Sequence, residues 1–181
     1  MTPEFECSNC GVCCSQIALI VAGDIREILE NYDYPVEDFV HFYDEDDFDE
    51  EFAPDDQWLN MEDGKRIIGM ARRNDTCFFR RDGRCAIYPH RPLMCAMHPY
   101  QPRDAREEPP EFNLQCHHGC KGVPKGPMSP QALKNLQEFF EVFSHREWDY
   151  DDLVSKWNRK GRKKRSEQDF FRFLGVLDQS G

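Results

Sequence analysis

The sequence predicts an α+β fold: a small, loop-rich domain with a β-hairpin and short helices, followed by a C-terminal helical segment. Nine cysteines are concentrated in the first two thirds of the 181 residues, an Asp-Gly turn signal separates two short strand patterns, and apolar residues recur at helical spacing near the C-terminus. The hydrophobic content of 39% indicates a modest core. We therefore expect a domain stapled by metal at residues 1–127, and a helical extension at residues 128–181.

Four cysteines near the N-terminus carry the metal prediction: Cys7, Cys10, Cys13 and Cys14. The first three have the spacing of a loop that wraps an iron-sulfur cluster, and Cys10 with Cys13 has that of a zinc knuckle. Gly11 favours such a loop because glycine tolerates positive φ. Side chains of adjacent residues diverge on an extended loop, so we expect Cys13 and Cys14 not to reach the same metal atom. One of them then serves a second metal or is buried as a small hydrophobe, and a disulfide framework is the alternative to metal.

The composition of the chain argues against some classes of protein and some partners. The formal net charge of -11 argues against general binding to nucleic acid. No basic segment followed by an apolar run opens the sequence, and no apolar run has the length of a membrane span. We therefore expect a soluble, cytoplasmic protein that has no membrane partner. In that reducing compartment, abundant thiols indicate metal ligation or redox chemistry more than disulfides.

The first part of the chain is predicted to alternate short elements. Residues 15–21 predict a strand, and residues 24–30 predict a helix. A second short helix is predicted from Pro35 and includes Val40 and Phe42. The segment 44–56 has nine carboxylates among thirteen residues. We interpret it as a solvated loop, because it lacks the glycine and the final glutamate of an EF-hand calcium site.

A β-hairpin is predicted around Asp82 and Gly83. Residues 66–71 and 76–80 read as strands, and a second arm begins after the turn. The hairpin places Cys77 on the first arm and Cys85 on the second, without requiring the two sulfurs to share a metal. The predicted register pairs Arg81 with Arg84 and Arg80 with Cys85.

Further thiols and imidazoles follow the hairpin. Prolines start a helical turn over residues 89–95, which delivers Cys95 with His98 three residues later. Residues 103–110 read as a charged loop. The next group comprises Cys116, His117, His118 and Cys120.

The C-terminal segment is predicted to be helical. A helix begins at Ser129 and Pro130, and its apolar stripe comprises Leu133, Leu136, Phe139, Phe140 and Phe143. Residues 149–157 predict a further helix. Ser166 caps a last helix with Phe170, Phe171, Phe173, Leu174 and Leu177 inward. Between them, residues 159–165 contain six basic side chains, which read as a linker that pairs with the acidic segment or as a contact for nucleic acid or an acidic partner.

The cysteine series resembles a known family. The series Cys7-x2-Cys10-x2-Cys13-Cys14 is followed by Cys77-Phe78-Phe79, by Cys85-Ala86-Ile87-Tyr88, and by Arg91-Pro92 before Cys95 and Pro99. Over roughly residues 5–126 this pattern resembles the YkgJ-type zinc- or iron-chelating cysteine-cluster family, which is named for its CxxCxxCC motif. Cys120-Lys121-Gly122-Val123 corresponds to a late Cys-Pro-Gly-Ile motif of that family.

The resemblance implies a set of metal ligands and leaves Cys116 over. The implied ligands are Cys7, Cys10, Cys13, Cys14, Cys77, Cys85, Cys95 and Cys120. Eight thiolates suit two four-thiolate sites, or one 4Fe-4S cluster with a neighbouring zinc, and they exclude magnesium and calcium. With a cluster, Cys7, Cys10 and Cys13 hold three irons, and Cys85 or Cys95 supplies the fourth ligand. With two zinc ions the same cysteines are structural staples.

The chain departs from the family pattern beside Cys95. Ala96 stands where relatives carry an arginine, and His98 stands where they carry an aromatic residue, so His98 is a candidate additional ligand against a structural imidazole. Arg91 is interpreted as a buttress whose guanidinium offsets thiolate charge.

No catalytic signature accompanies the cysteines. The sequence has no Ser-His-Asp pattern, P-loop or GxGxxG, and its spacing is not the C-x3-C-x2-C of radical S-adenosylmethionine enzymes. The first hypothesis is a metalloprotein whose cysteine cluster, an iron-sulfur cluster or zinc, acts in electron transfer, redox sensing or metal handling with a protein partner. Any enzymatic activity is then of an iron-sulfur oxidoreductase type. The alternative is a zinc-stapled interaction module whose C-terminal helices and basic run bind a partner. Protein N-methyl transfer, implied by kinship with flagellin lysine N-methylases, is disfavoured by the short length.

Overall fold

The computed structural model describes residues 8–48, 57–102, 112–114, 129–159 and 165–177. The helices are α1 (Ala22–Asn31), α2 (Val36–Phe39), α3 (Leu93–Met97), α4 (Pro130–Arg159) and α5 (Glu167–Leu174). The strands are β1 (Val40–Tyr43), β2 (Leu59–Met61), β3 (Gly64–Met70), β4 (Arg72–Arg73), β5 (Thr76–Cys77), β6 (Arg80–Arg81), β7 (Arg84–Cys85), β8 (Tyr100–Pro102) and β9 (Phe112–Leu114). Short 3-10 turns lie at Cys13–Ser15, Glu45–Asp47 and Tyr88–His90. This mixture of helices and small antiparallel sheets confirms the predicted α+β class.

The central sheet is three-stranded and antiparallel, in the order β1-β3-β2. β1 pairs with β3 from Val40 opposite Met70 to Tyr43 opposite Ile67. The prediction that the helix after Pro35 continues through Phe42 is wrong, because the chain becomes extended at Val40 and joins β3. β2 was not predicted, since a three-residue strand gives almost no periodic signal.

The strand predicted over residues 15–21 is also wrong for most of its length. Residues Cys13–Ser15 form a 3-10 turn, and the segment after it meets β3 through one isolated bridge between Leu19 and Gly69. β2 already occupies the neighbouring part of this edge of β3, from Gly64 to Arg66. Only a short stretch of this edge of β3 is therefore left to pair with the segment that follows the 3-10 turn.

Two small hairpins follow β3 directly. β4 pairs with β5, and β6 pairs with β7. The register predicted for the second hairpin is confirmed, with Arg80 opposite Cys85 and Arg81 opposite Arg84. The single strand predicted over residues 76–80 is wrong: it is divided between β5 and β6, because the chain reverses both before and after Phe78 and Phe79.

The C-terminal helices complete the core. α4 is one helix of 30 residues, so the separate helix predicted at residues 149–157 is its second half. Residues 131–159 contain no glycine or proline that would interrupt the helix. Ser166 caps α5 as predicted, accepting a hydrogen bond from the Asp169 amide, and Gly175 ends the helix at a φ of 72°. Leu133 departs from the predicted stripe because it is 39% exposed.

Residues from both ends of the chain share one hydrophobic core. Tyr150 and Trp157 of α4, with Phe170 of α5, belong to the same buried cluster as Ile25 of α1 and Ile68 of β3. The predicted domain boundary at residue 127 lies outside the described residues. Within the described part of the chain, no helix combines the length and the apolar character needed to cross a bilayer.

The acidic segment is described over its first residues. Asp44 caps the turn Glu45–Asp47, and Lys65 on β3 forms an exposed ion pair with Glu45 at 3.7 Å. Residues 49–56 and the basic residues 160–164 lie outside the described parts, so their predicted pairing stays a prediction. Arg165, the last residue of the basic run, is instead buried, and it donates to the carbonyl oxygens of Asn60 and Asn158.

One buried carboxylate joins three elements. Asp24 accepts from the Val21 amide at the start of α1 and from the Leu93 amide at the start of α3. Arg146 of α4 lies 3.4 Å from the same carboxylate. Burial raises the pKa of Asp24, and the two amides and Arg146 oppose that shift. Asp24 therefore fixes the short helix that carries Cys95 against α1 and α4.

We predict that Asp24→Ala lowers the free energy of unfolding by about 3 kcal/mol, because it leaves two buried amides without their acceptor and Arg146 with Glu27 as its remaining carboxylate. Urea denaturation measures this change. The control is Glu30→Ala on the exposed face of α1, which should change the unfolding free energy by less than about 0.5 kcal/mol. Equal midpoints for the two variants would contradict the role given to Asp24.

Candidate metal centre

The described cysteines line one pocket. Six of the eight predicted ligands contribute to it, namely Cys10, Cys13, Cys14, Cys77, Cys85 and Cys95. The empty space of this pocket is about 880 Å³, part of which is open solvent. Apolar side chains, among them Met70, Phe79 and Ile87, line it as well. The fold thus gathers thiols from distant parts of the sequence into one partly apolar cavity.

The N-terminal loop of the pocket turns tightly. Asn9 and Gly11 have φ values of 54° and 82°, which fits the expectation that glycine permits this turn. Cys13 and Cys14 lie in the 3-10 turn, and their side chains are joined by a hydrogen bond. The assumption of an extended loop with diverging thiols is therefore wrong. Both sulfurs belong to the same pocket.

The remaining thiols come from three other elements. Cys77 lies on β5 and Cys85 on β7, so each small hairpin supplies one sulfur to the pocket. Cys95 lies in the middle of α3, whose first amide is fixed by Asp24. His98 follows this helix and also lines the pocket.

The thiol of Cys14 is held in its ionised form. Its pKa is lowered to about 6, chiefly by the hydrogen bond from Cys13, while burial opposes the shift. A hydrogen bond from Arg80 and the positive charge of that guanidinium lower the pKa further. Cys14 is therefore ready to bind a cation without first losing a proton at neutral pH.

Two other thiols of the pocket, those of Cys77 and Cys95, have raised pKa values. Burial raises the pKa of Cys77 to about 11, and the nearby thiols of Cys14 and Cys85 add to the shift. Burial also raises the pKa of Cys95 well above its ordinary value, with contributions from Cys77, Cys85 and Asp24. The thiols that line the pocket therefore disfavour one another's ionisation. A bound cation would reverse this effect, because it favours the deprotonated thiolate.

Arg80 is the functional residue that the sequence analysis missed. Arg91 was expected to offset thiolate charge; its guanidinium lies 3.9 Å from the ring centre of Tyr88 and donates to the Tyr88 carbonyl oxygen. Arg80, by contrast, forms a hydrogen bond with the thiol of Cys14. A signal was present in the sequence, because Arg72-Arg73-x3-Cys77 recurs eight residues later as Arg80-Arg81-x3-Cys85.

Several predicted site residues cannot be placed. Cys7 and Cys120, and the unassigned Cys116, His117 and His118, lie outside the described residues. Among the side chains that are described, no three of the types His, Cys, Asp and Glu stand ready to hold one ion. A full set of ligands therefore needs the pocket sulfurs to converge on the ion, or cysteines from outside these ranges. The donor chemistry fits zinc or iron, since every described cysteine of the pocket offers sulfur.

Comparison with known proteins agrees with this chemistry. The family model CxxCxxCC, described as "Putative zinc- or iron-chelating domain", matches residues 6–121. No curated protein and no solved structure matches the chain. The matched range includes the loop, both hairpins and α3, which are the elements that line the pocket. The chain therefore belongs to the CxxCxxCC family of zinc- or iron-chelating domains.

Proposed function

We propose that the protein holds an iron-sulfur cluster in the cysteine pocket and transfers electrons to or from a protein partner. The observation that carries this proposal is that six thiols, from a loop, two hairpins and a helix, line one pocket. Structural zinc sites are closed, four-coordinate units. A single larger set of thiols beside solvent suits a centre with several metal atoms better than two separate zinc staples.

The surroundings of the thiols also support redox chemistry. The pocket combines an apolar lining with a cationic side chain, since Phe79 and Ile87 line it and Arg80 donates to Cys14. Hydrogen bonds to sulfur, local charge and solvent exposure are the means by which proteins set the potential of a cluster. A purely structural metal site has no need of such adjustment.

The proposal assigns roles to residues as follows. Cys10 and Cys13, together with Cys7, bind the irons through the N-terminal loop, and Cys85 or Cys95 supplies the fourth ligand. The cluster would supply one-electron transfer. Ser8 and Asn9 line the pocket and are exposed, so their side is the face through which the partner would exchange electrons.

The alternative of a zinc-stapled interaction module has less support from the C-terminal helices. The apolar faces of α4 and α5 are used in the protein core, where Trp157 and Phe170 are almost fully buried. Arg165, at the end of the basic run, is buried as well. Within the described fold, the buried aromatic side chains of these helices and Arg165 are therefore not free to bind a partner.

We expect anaerobically purified protein to be brown, with iron and acid-labile sulfide in equal amounts, and to bleach on reduction. Metal and sulfide analysis on the sample that gives the absorption spectrum measures this. Incubation with a chelator should remove the colour and lower the unfolding temperature, because metal binding contributes to folding free energy. Colourless protein that contains zinc alone would refute the redox proposal and leave the cysteines as structural staples.

We also expect Cys13→Ser to lose most of the bound metal, because it removes a thiolate of the N-terminal loop, and of Cys85→Ser and Cys95→Ser we expect the variant that removes the fourth ligand to do the same. Circular dichroism establishes whether each variant remains folded, and metal analysis gives the stoichiometry. Cys116→Ser is the matched control, since this cysteine is left over by the family pattern, and it should retain the wild-type metal content. Full metal retention by both Cys85→Ser and Cys95→Ser would contradict the assignment of the fourth ligand.

A further inference from the structure

We propose that Arg80 and Arg72 are positioning residues, equivalent members of two tandem hairpins, that clamp the N-terminal cysteine loop over the pocket before metal binds. This inference rests on metal binding at the proposed site. It does not depend on whether the metal is zinc or an iron-sulfur cluster.

The two hairpins repeat the same structure. In the first, Arg72 is opposite Cys77, and in the second, Arg80 is opposite Cys85. Each hairpin is closed by a hydrogen bond between equivalent positions, from the Phe78 amide to the Ala71 carbonyl oxygen and from the Ala86 amide to the Phe79 carbonyl oxygen. Both turns have two residues with positive φ, which are Asn74 with Asp75 and Asp82 with Gly83. Each hairpin therefore contains a pocket cysteine that is paired with an arginine on the opposite strand.

The second hairpin holds the middle of the loop. Arg80 donates to the Asn9 carbonyl oxygen at 3.3 Å and also to the thiol of Cys14. Its guanidinium lies so close to Gly11 that a Cβ atom on that residue would be 2.0 Å from Nη1. The guanidinium thus joins Asn9, inside the CxxCxxCC motif, to Cys14 at its end, and Gly11 between them is what lets it approach.

The first hairpin holds the end of the loop. Arg72 donates to the Ser15 carbonyl oxygen at 2.8 Å, and the same nitrogen donates to Asp75 of its own turn. Thr76 of this hairpin donates to the Cys14 carbonyl oxygen at 3.4 Å. The loop is therefore attached to the repeat at three backbone carbonyls, those of Asn9, Cys14 and Ser15.

The second arginine of each pair makes different contacts. The guanidinium of Arg73 lies 4.5 Å from the ring centre of Phe78 and forms an exposed ion pair with Asp38. The guanidinium of Arg81 lies over the rings of Tyr34 and Phe78. These neighbours have the same charge and lie one residue away, so they serve as matched controls.

A clamp of this kind should act on metal affinity. The loop spans residues 9–15, contains one short 3-10 turn, and must place several sulfurs together. Holding it in place before binding reduces the conformational entropy that metal binding must otherwise supply. Losing a residue that supports metal ligands typically costs 10–100-fold in affinity.

The experiment titrates reduced, metal-free full-length protein with cobalt(II) and then competes the cobalt with zinc. The sulfur-to-cobalt charge-transfer band reports how many thiolates bind, and the competition gives the zinc affinity. We expect R80Q and R72Q each to lose about tenfold or more in zinc affinity, with R80Q weakening the charge-transfer band. R81Q and R73Q should remain within about twofold of wild type. R80K should recover part of the loss, because an ammonium retains the charge but cannot bridge Asn9 and Cys14 as a guanidinium does.

The possible outcomes separate this inference from the proposed function. If wild type forms no cobalt-thiolate band, metal binding at the site fails and the clamp fails with it. If wild type binds but R80Q and R81Q lose equal affinity, the clamp alone is overturned. Full recovery by R80K would also overturn it, because charge would then suffice. Circular dichroism on each variant excludes unfolding, and should R80Q not fold, the R72Q and R73Q pair decides the same question.

Discussion

The site depends on one constraint: several thiols must lie together in a partly buried pocket, where the thiolate form is disfavoured. Burial disfavours the thiolate form and raises the pKa values of Cys77 and Cys95, and the neighbouring thiols add to both shifts. The protein compensates at one position, where Arg80 and the Cys13 thiol stabilise the thiolate of Cys14. Most of the remaining compensation must come from a metal cation. The pocket is consequently suited to a positively charged occupant, and its metal-free form keeps Cys77 and Cys95 protonated.

The rest of the fold supplies rigidity at the positions from which the sulfurs approach. α3 is only five residues long and carries Cys95, so it could not hold its place alone. Asp24 binds its first amide, and Arg146 ties that carboxylate to α4, whose Tyr150 and Trp157 are buried in the core. The long C-terminal helix therefore supports the metal site without contributing a residue to its described lining.

The parts of this structure that were predictable are those set by neighbours in sequence. The register of the second hairpin followed from Asp82-Gly83, because a two-residue turn with positive φ leaves one arrangement of its flanking residues. The cap at Ser166 was predictable for the same reason. α4 was divided in two because its apolar stripe is interrupted, yet the absence of glycine and proline was the better indicator. The meeting of Arg80 with Asn9 spans 71 positions, and no local preference encodes it.

The tandem hairpins show how a short sequence repeat can bring together groups that are far apart in the sequence. Pairing across a two-residue ladder puts Arg72 beside Cys77 and Arg80 beside Cys85 wherever the hairpins are placed. Each hairpin thus carries both a cysteine sulfur and an arginine that can hold the N-terminal cysteine loop. Phe78 and Phe79 pack the hairpins against the core. This packing places the cysteine sulfurs and the loop-holding arginines at the pocket at the same time. Loop attachment and sulfur delivery then depend on the same few residues, so a change in one arginine alters how a distant cysteine loop meets the thiols of the hairpins.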